Sequence, residues 1–141
     1  REKLGKILNK HCTSLGKTLK VLVQVNIGND PNKSGVKKED AAKLIQSLNQ
    51  YSSLNVCGLM TIPPLTNTPE ESRLYFRELR ALRDELHLAG YFPGSSLPEL
   101  SMGMSGDFPI AIEEGATVVR IGQALFGQRP LPDSHYWPQS A

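Results

Sequence analysis

Four short segments rich in apolar residues are separated along the chain by longer segments in which apolar residues recur every three or four positions. The short segments, residues 21–27, 56–62, 99–103 and 117–121, predict β-strands. Residues 21–27 are almost wholly apolar and largely β-branched, as expected of a strand buried on both faces of a parallel sheet. We therefore expect this first strand to be covered on both faces.

The first two longer segments predict amphipathic helices. The first covers about residues 4–15, and no Ser, Thr, Asp or Asn precedes Arg1 to cap its first turn, so we expect a cut end rather than a natural helix start. The second runs from about Lys37 to Tyr51. The apolar residues that carry the two predictions are Leu4, Ile7, Leu8, Cys12 and Leu15, and Ala41, Leu44, Ile45 and Leu48.

A long third helix opens with three start signals: Thr68 as N-cap, Pro69 in the first turn and Glu71 as the capping-box glutamate. Its predicted apolar face has spacings of four, three and four residues. Charged side chains are seldom buried, so we expect the arginines on the other sides to form a solvated surface rather than a ligand site. The apolar face is Tyr75, Leu79, Leu82 and Leu86, and the arginines are Arg73, Arg77, Arg80 and Arg83.

The last third of the chain predicts shorter elements. Asp107 to Glu114 predict a short helix ended by Gly115, with Asp107 as its N-cap rather than as a catalytic acid. A helical turn follows the fourth strand. The proline-containing tail over residues 129–141 is expected to be irregular.

Strands that alternate with helices predict an α/β fold built from right-handed βαβ units. Four such units fit either an open doubly wound sheet or half of a (β/α)8 barrel, and periodicity does not choose between them. A half-barrel would leave the inner strand faces without partners. We then expect exposed apolar surface there, and marginal stability for a monomer.

Composition narrows the class of protein. With 141 residues, 39% of them apolar and 21% charged, the chain is expected to form one domain over residues 1–141. Its Lys and Arg are scattered and the net charge is +2, which indicates no nucleic-acid surface. No stretch approaches the ~20 apolar residues of a membrane span, and no secretory signal is present, so a cytoplasmic location is predicted.

The cysteines and histidines predict neither a disulfide nor a metal site. Cys12 and Cys57 are far apart in sequence, and Cys57 lies in an apolar segment, which favours reduced thiols. Neither cysteine lies at metal-ligand spacing from a histidine, and the three histidines are well separated, so no metal is expected. These histidines are His11, His87 and His135.

Two strand ends carry the pattern of an anion site. In parallel α/β folds ligands bind at the carboxyl ends of strands, where residues 101–107 follow the third strand and residues 120–123 follow the fourth. Small residues with free amides leading into helix N-termini are what a phosphate needs. The alternative is that Gly103, Gly106 and Gly122 only make tight turns.

Several segments resemble one family in their order and spacing. They are residues 23–26 (VQVN), 32–35 (NKSG), 58–62 (GLMTI), 100–105 (LSMGMS), 119–122 (VRIG) and 125–127 (LFG). The chain resembles the pyridoxal 5′-phosphate (PLP) homeostasis proteins, also called the YggS/PROSC family, and residues 130–137 resemble the ending of cyanobacterial members. The resemblance implies a single barrel like the alanine racemase N-terminal domain, with PLP as the ligand and a carrier role without catalysis.

The resemblance also implies site residues. Ser105 would donate its hydroxyl to the PLP phosphate, the amides of Gly122 and Gln123 would close the phosphate cup, and Met104 would line the ring pocket. Arg120 matches the arginine that faces the pyridine nitrogen in the related racemase barrels, and its fixed charge would keep that nitrogen unprotonated and weaken the cofactor as an electron sink. For Arg120 a barrel-rim salt bridge is the alternative. The full predicted cofactor-binding set is Ser101, Met104, Ser105, Gly106, Arg120, Gly122 and Gln123.

One family feature has no counterpart here. The family holds PLP as a Schiff base on a lysine at the end of the first barrel strand, and no segment of this chain resembles that one. The first strand of this chain resembles the family's fifth. The resemblance therefore implies the C-terminal half of the barrel, without the covalent anchor.

Other functions remain open on the sequence. One is a PLP-dependent racemase or decarboxylase on the same barrel; a racemase needs an acid/base residue on the opposite face of the cofactor, and Tyr136 is a candidate. Another is a phosphate-binding half-barrel that self-associates through open strand edges, or that pairs with a missing N-terminal half. Lys33 could contact phosphate or act as a second amine, although exposure to solvent is the simpler expectation.

Overall fold

The computed structural model describes residues 1–94, 97–128 and 130. Four helix-flanked strands follow one another along the chain, as the sequence pattern predicts. The helices are α1 (Glu2–Ser14), α2 (Ala41–Leu48), α3 (Arg73–Leu88), α4 (Phe108–Glu113) and α5 (Gln123–Phe126), and the strands are β1 (Leu19–Gln24), β2 (Leu54–Met60), β3 (Glu99–Met104) and β4 (Val118–Arg120). Single 3₁₀ turns, Lys38–Asp40 and Pro69–Ser72, lead into α2 and α3.

The strands form one parallel sheet in the order β1-β2-β3-β4. Val21 lies opposite Val56, Leu59 opposite Leu100, and Met104 opposite Arg120. A doubly wound sheet reverses its strand order at a switch point, whereas a barrel adds each strand beside the previous one. The order in the described part of the chain follows the barrel rule.

Strand bounds differ from the prediction at both ends of β1. The strand begins at Leu19 and ends at Gln24, because the chain beyond it turns back along its own edge. The amide of Val36 donates to the Gln24 carbonyl at 2.9 Å, and the amide of Asn26 donates to the Val36 carbonyl at 2.8 Å. A loop residue thus takes up the hydrogen-bonding groups that would otherwise continue the strand edge.

The hydrophobic core lies between one face of the sheet and the helices. Full burial of a large apolar side chain contributes about 1.5–3 kcal/mol, so this layer supplies most of the stabilisation. Its most deeply buried members are Val25, Leu59, Leu100 and Met102 from the sheet segments and Ile45, Phe76, Leu79 and Ala111 from the helices.

The expectation that residues 21–27 are buried on both faces is wrong. Side chains alternate across a strand, and in β1 and β2 those pointing away from the helices are half-buried or exposed, whereas Ser101 of β3 is buried on that side. Lys20, Asn55 and Glu99 are exposed on this side, while Leu22 and Met60 are half-buried. The open face is therefore mixed in polarity, which reduces the exposed apolar surface expected of a half-barrel.

The start of α3 uses the predicted residues in a different arrangement. Pro69 opens a 3₁₀ turn after Thr68, and the Glu71 carboxylate accepts hydrogen bonds from the Asn67 amide at 3.2 Å and the Thr68 hydroxyl at 3.1 Å. The Thr68 oxygen caps no backbone amide. The predicted capping-box glutamate therefore bonds to the residues before the 3₁₀ turn, and the α-helix itself begins only at Arg73.

The arginines of α3 are not all a solvated surface, contrary to the prediction. Arg83 is only 5% exposed and donates to the Pro98 carbonyl at 2.8 Å. Arg73, Arg77 and Arg80 converge on the buried carboxylate of Glu114. The apolar face also includes Phe76, which is fully buried, while the predicted Tyr75 packs at the margin of the core. Arg83 and Glu114 are buried here because each has a partner, whereas Arg77 and Arg80 stay partly exposed.

The predicted irregular tail over residues 129–141 lies outside the described residues, apart from Pro130. In the part of the chain that the structure describes, no helix combines the length and apolarity needed to cross a bilayer.

Candidate functional site

The carboxyl ends of β3 and β4 meet at Ser105. The backbone amide of Gly122 donates to Ser105 Oγ at 3.3 Å, and the amide of Ala124 donates to the same oxygen at 3.2 Å. Ser105 follows β3, and Gly122 and Ala124 follow β4. The two segments that the sequence singled out therefore lie side by side at one end of the sheet, where a single anion could contact both.

Gly103 sets the close packing beneath this end of the sheet. Its φ is +90°, and a Cβ atom there would lie 2.5 Å from the Ala111 Cβ and 3.1 Å from the Phe108 Cα. Only glycine lets α4 pack this tightly on β3. Gly106 and Gly122 have no such constraint, since neither has a positive φ and a Cβ at either position would meet no atom within 4 Å. Of these three glycines, only Gly103 is therefore required by the packing, and it lies within β3 rather than in a turn.

Asp107 occupies the N-cap position of α4, as predicted, but its side chain caps no helix amide. Its Oδ1 accepts a 2.7 Å hydrogen bond from the Met104 amide. The carboxylate therefore closes the loop between β3 and α4, the loop that carries Ser105.

Arg120 links the ends of three strands. One guanidinium nitrogen donates to Ser101 Oγ at 2.6 Å and another donates to the Thr61 carbonyl at 2.9 Å. Thr61 extends the connection, because its hydroxyl donates to the Val25 carbonyl at 2.8 Å. These hydrogen bonds run across the sheet from β4 to the end of β1 and hold the arginine at the site.

Arg120 is partly buried, and this burial affects the pKa of its guanidinium. Desolvation lowers the pKa of Arg120, and the Asp107 carboxylate acts in the opposite direction. An arginine guanidinium loses its proton only far above neutral pH, so Arg120 keeps its positive charge at pH 7. Among the described residues no carboxylate lies within ion-pair distance of Arg120, so the alternative of a rim salt bridge finds no partner there.

The other predicted site residues lie around this arrangement. Met104 is 46% exposed, Gly106 is exposed in the loop beside Ser105, and Gln123 begins α5. Two residues of the site were not predicted. Thr61 lies in a motif that the sequence singled out, whereas Ala124 is a small residue whose contribution is a backbone amide and which gave no signal.

Lys33 is half-buried rather than exposed. It lies in a loop that Asn26 organises: the Asn26 side chain donates to the Asp30 carbonyl at 2.7 Å and accepts from the Asp30 amide at 3.1 Å. The lysine backbone is fixed by this loop, since its own amide donates to the Asp30 carbonyl at 3.0 Å.

A groove of about 850 Å³ opens beside β1 and reaches the site. Ser101 and Arg120 line it together with Met60, Leu22 and Gln24. Ligand pockets are mostly apolar and hold a few convergent polar groups, and this groove has that character. Leu4, Leu8, Leu44 and Leu48 of α1 and α2 supply much of the remaining apolar wall.

The family model for the alanine racemase N-terminal domain matches residues 1–130. The chain belongs to the alanine racemase N-terminal domain family. Membership in this family agrees with the parallel sheet and its barrel-type strand order, and it confirms the predicted partial (β/α)8 architecture.

Curated relatives confirm the predicted resemblance to the PLP homeostasis proteins. The pyridoxal phosphate homeostasis protein of Aquifex aeolicus is 51% identical over 109 residues, which are 77% of this chain and 46% of that protein. The protein of the same name from Synechocystis is 41% identical over 122 residues, 86% of this chain and 55% of that protein. The chain thus spans about half the length of the curated relatives it matches.

A solved structure supports the same placement. PipY of Synechococcus elongatus PCC7942, with PLP bound, superimposes with a TM-score of 0.75 at 34% identity, over 89% of this chain and 57% of that one. The superposition shows that the described part of this chain has the fold of part of that PLP-bound protein.

Proposed function

We propose that this chain is the phosphate-binding part of a PLP homeostasis protein and that it holds the cofactor without catalysing a reaction on it. The observation that carries the proposal is the convergence of the Gly122 and Ala124 amides on Ser105 Oγ. It brings two backbone donors and one hydroxyl to a single point at the carboxyl end of the sheet. A phosphate bound there would accept a hydrogen bond from the Ser105 hydroxyl and would replace Ser105 Oγ as the acceptor of the two amides.

The residues present fit the chemistry of PLP. The phosphate would be held by Ser105 and by the amides of the segment from Gly122 to Ala124, with Gly106 leaving room for its approach. Ser101, Met104 and Arg120 would contact the ring, where the groove offers apolar wall beside a fixed positive charge. When bound, PLP supplies an aldehyde that reacts with amines and a ring that can withdraw electrons.

Arg120 supports a carrier rather than an enzyme. A protonated pyridine nitrogen is what makes the PLP ring a strong electron sink, and a permanent positive charge beside that nitrogen opposes its protonation. Ser101 and Thr61 hold the guanidinium in place. A rigid arginine at this position would keep the bound cofactor weakly reactive.

The relatives add further support. The curated relatives carry the name pyridoxal phosphate homeostasis protein, and PipY has been solved with PLP bound. The lysine that holds PLP covalently in the family lies in a segment that this chain does not match. We therefore propose that this half contributes the phosphate and ring contacts in a cytoplasmic protein, with no nucleic-acid or membrane partner.

Self-association, or pairing with an N-terminal half-barrel, is a second candidate property. β1 and β4 each have one neighbour in the described sheet, and the face away from the helices leaves Leu22 and Met60 partly exposed. Unpaired parallel strand edges favour association with further strands. Closing the barrel would also enclose the groove that contains Arg120.

Replacing Ser105 by alanine tests the proposed function. Loss of one hydrogen bond to a charged group costs about 1.5–3 kcal/mol, so the dissociation constant for PLP should rise by roughly ten- to a hundredfold in Ser105→Ala. Ser52→Ala is the matched control, because Ser52 is exposed in the turn before β2. Equilibrium dialysis with PLP gives both constants. Equal constants for the two variants would contradict the proposed site.

The carrier role has its own test. With saturating PLP and either enantiomer of alanine, the chain should produce no more of the opposite enantiomer than free PLP does. Chiral chromatography of the product measures this directly. Racemisation well above the free-PLP rate that disappears in Arg120→Gln would instead assign the chain to the enzymes of the same fold.

A further inference from the structure

The carboxylate of Glu114 is held by three arginines of α3. Its side chain is 5% exposed, at the residue that ends α4. Arg73 Nη1 lies 2.8 Å from Glu114 Oε1, Arg77 Nε lies 3.0 Å from the same oxygen, and Arg80 Nη2 lies 3.3 Å from Oε2. Arg80 also donates to the Glu114 backbone carbonyl at 3.1 Å. The end of α4 is thus attached to α3 through both its side chain and its backbone.

Two further carboxylates balance the charge of this cluster. Arg73 contacts Glu113 at 2.6 Å and also pairs with Glu70 in the 3₁₀ turn before α3. Three arginines therefore face three carboxylates, and the buried one lies at the centre. The hydrogen bond from Arg73 is the main reason that the pKa of Glu114 is lowered, so this carboxylate is ionised at neutral pH.

The position of the cluster relates it to the anion site. α4 separates the two halves of that site: Ser105 precedes it, and β4, which leads to Gly122, follows it. The N-terminal end of α4 is fixed by the contact of Gly103 with Ala111 and by the Asp107 carboxylate on the Met104 amide. The C-terminal end is fixed through Glu114. Movement of that end would shift β4 relative to the loop that carries Ser105, and with β4 the amides of Gly122 and Ala124.

We propose that Glu114 is a positioning residue for the anion site: by fixing the C-terminal end of α4 against α3, it sets the distance between Ser105 and the amides of Gly122 and Ala124. The proposal rests on the proposed function, because it assumes that this site binds phosphate. A buried ion pair often stabilises a fold no better than apolar residues of similar volume would. The ionic cluster instead fixes the position of the Glu114 carboxylate, because three arginine donors on one face of α3 bind it.

Two measurements on Glu114→Gln test the proposal. The first records the amide chemical shifts of the ligand-free chain by ¹H–¹⁵N correlation, and the second measures the dissociation constant of inorganic phosphate by calorimetry. The amide substitution keeps the volume of the side chain and removes its charge. We expect shift changes at residues 105–107 and 122–124 and a roughly tenfold weaker affinity for phosphate, since small misplacements of binding groups have effects of this order.

Controls separate positioning from general destabilisation. Glu78→Gln makes the same chemical change in an exposed pair with Lys38, and Ile45→Val lowers stability from the core beneath α2. Neither should shift the amides of residues 105–107 and 122–124 or change the affinity for phosphate. If Glu114→Gln does not fold, Arg77→Gln removes one partner that is 56% exposed, and it should produce the same pattern with smaller amplitude.

Each outcome decides one of the two proposals. Amide shifts at residues 105–107 and 122–124 that stay as small as in Glu78→Gln, or that Ile45→Val reproduces, would overturn the positioning role. Failure of the unsubstituted chain to bind phosphate would overturn the proposed function, while the shifts would still decide the positioning role. Shifts that change together with a weaker phosphate affinity would support both.

Discussion

Replacing Gly103 by alanine should destabilise the chain by about 2–5 kcal/mol through two separable effects. The residue has φ +90°, and a side chain in the left-handed region costs about 1–2 kcal/mol. The new Cβ would also lie 2.5 Å from the Ala111 Cβ and 3.1 Å from the Phe108 Cα. Forcing an extra carbon into a packed site costs about 1–3 kcal/mol.

Substitutions at two other glycines allow the backbone cost and the packing cost to be measured separately. Gly16 has φ +61°, and a Cβ added there would meet no atom within 4 Å, so Gly16→Ala should cost only the backbone term of about 1–2 kcal/mol. Gly106 has neither a positive φ nor a close neighbour, and Gly106→Ala should change stability by less than about 0.5–1 kcal/mol. Urea unfolding monitored by circular dichroism gives all three free energies of unfolding on one scale.

A double mutant isolates the contact itself. Ala111→Gly removes the nearest atom, so it should recover about 1–2 kcal/mol of the Gly103→Ala loss in a double-mutant cycle, while the contact with the Phe108 backbone and the strained φ remain. A Gly103→Ala cost within about 0.5 kcal/mol of Gly16→Ala would refute the claim of close packing. Absence of coupling to Ala111 would do the same.

Three further predictions concern titration and reactivity. The folded pKa of Glu114 lies below its ordinary value of 4.5, so its contribution to stability is present above about pH 4.5 and is lost as the pH falls through the folded pKa. The difference in free energy of unfolding in urea between the unsubstituted chain and Glu114→Gln should therefore shrink as the pH falls through that range. A difference that stays constant would contradict the assignment. Burial, with Glu99 as a second cause, raises the pKa of the Cys57 thiol, so iodoacetamide at pH 7.5 should alkylate Cys57 several-fold more slowly in the folded chain than in urea, as peptide mass spectrometry will show. Added PLP followed by borohydride should leave no lysine stoichiometrically modified; one fully modified lysine would show that this half carries a covalent anchor, with Lys33 the first to test.

The residue pattern placed the elements and the strand ends that carry the candidate chemistry. Short apolar segments located the four strands to within a few residues, because strand formation follows local side-chain preference. The small residues around Ser105 and Gly122 marked the candidate anion site because they are typical of loops whose backbone amides can bind an anion. The family resemblance, carried by short contiguous motifs, was also available from the sequence alone and is confirmed by the relatives.

Contacts between distant segments were decided only by the tertiary structure. Because charged side chains are usually exposed, the arginines of α3 were expected to face solvent. In the fold, Arg83 donates to the Pro98 carbonyl and Arg73 pairs with Glu114, both of which come later in the chain. Ala124 gave no signal because its contribution is a backbone amide. The polarity of the open sheet face followed from a register that places exposed residues such as Lys20 together. Local propensity acts over a few residues, whereas burial and pairing depend on neighbours that only the packed chain provides.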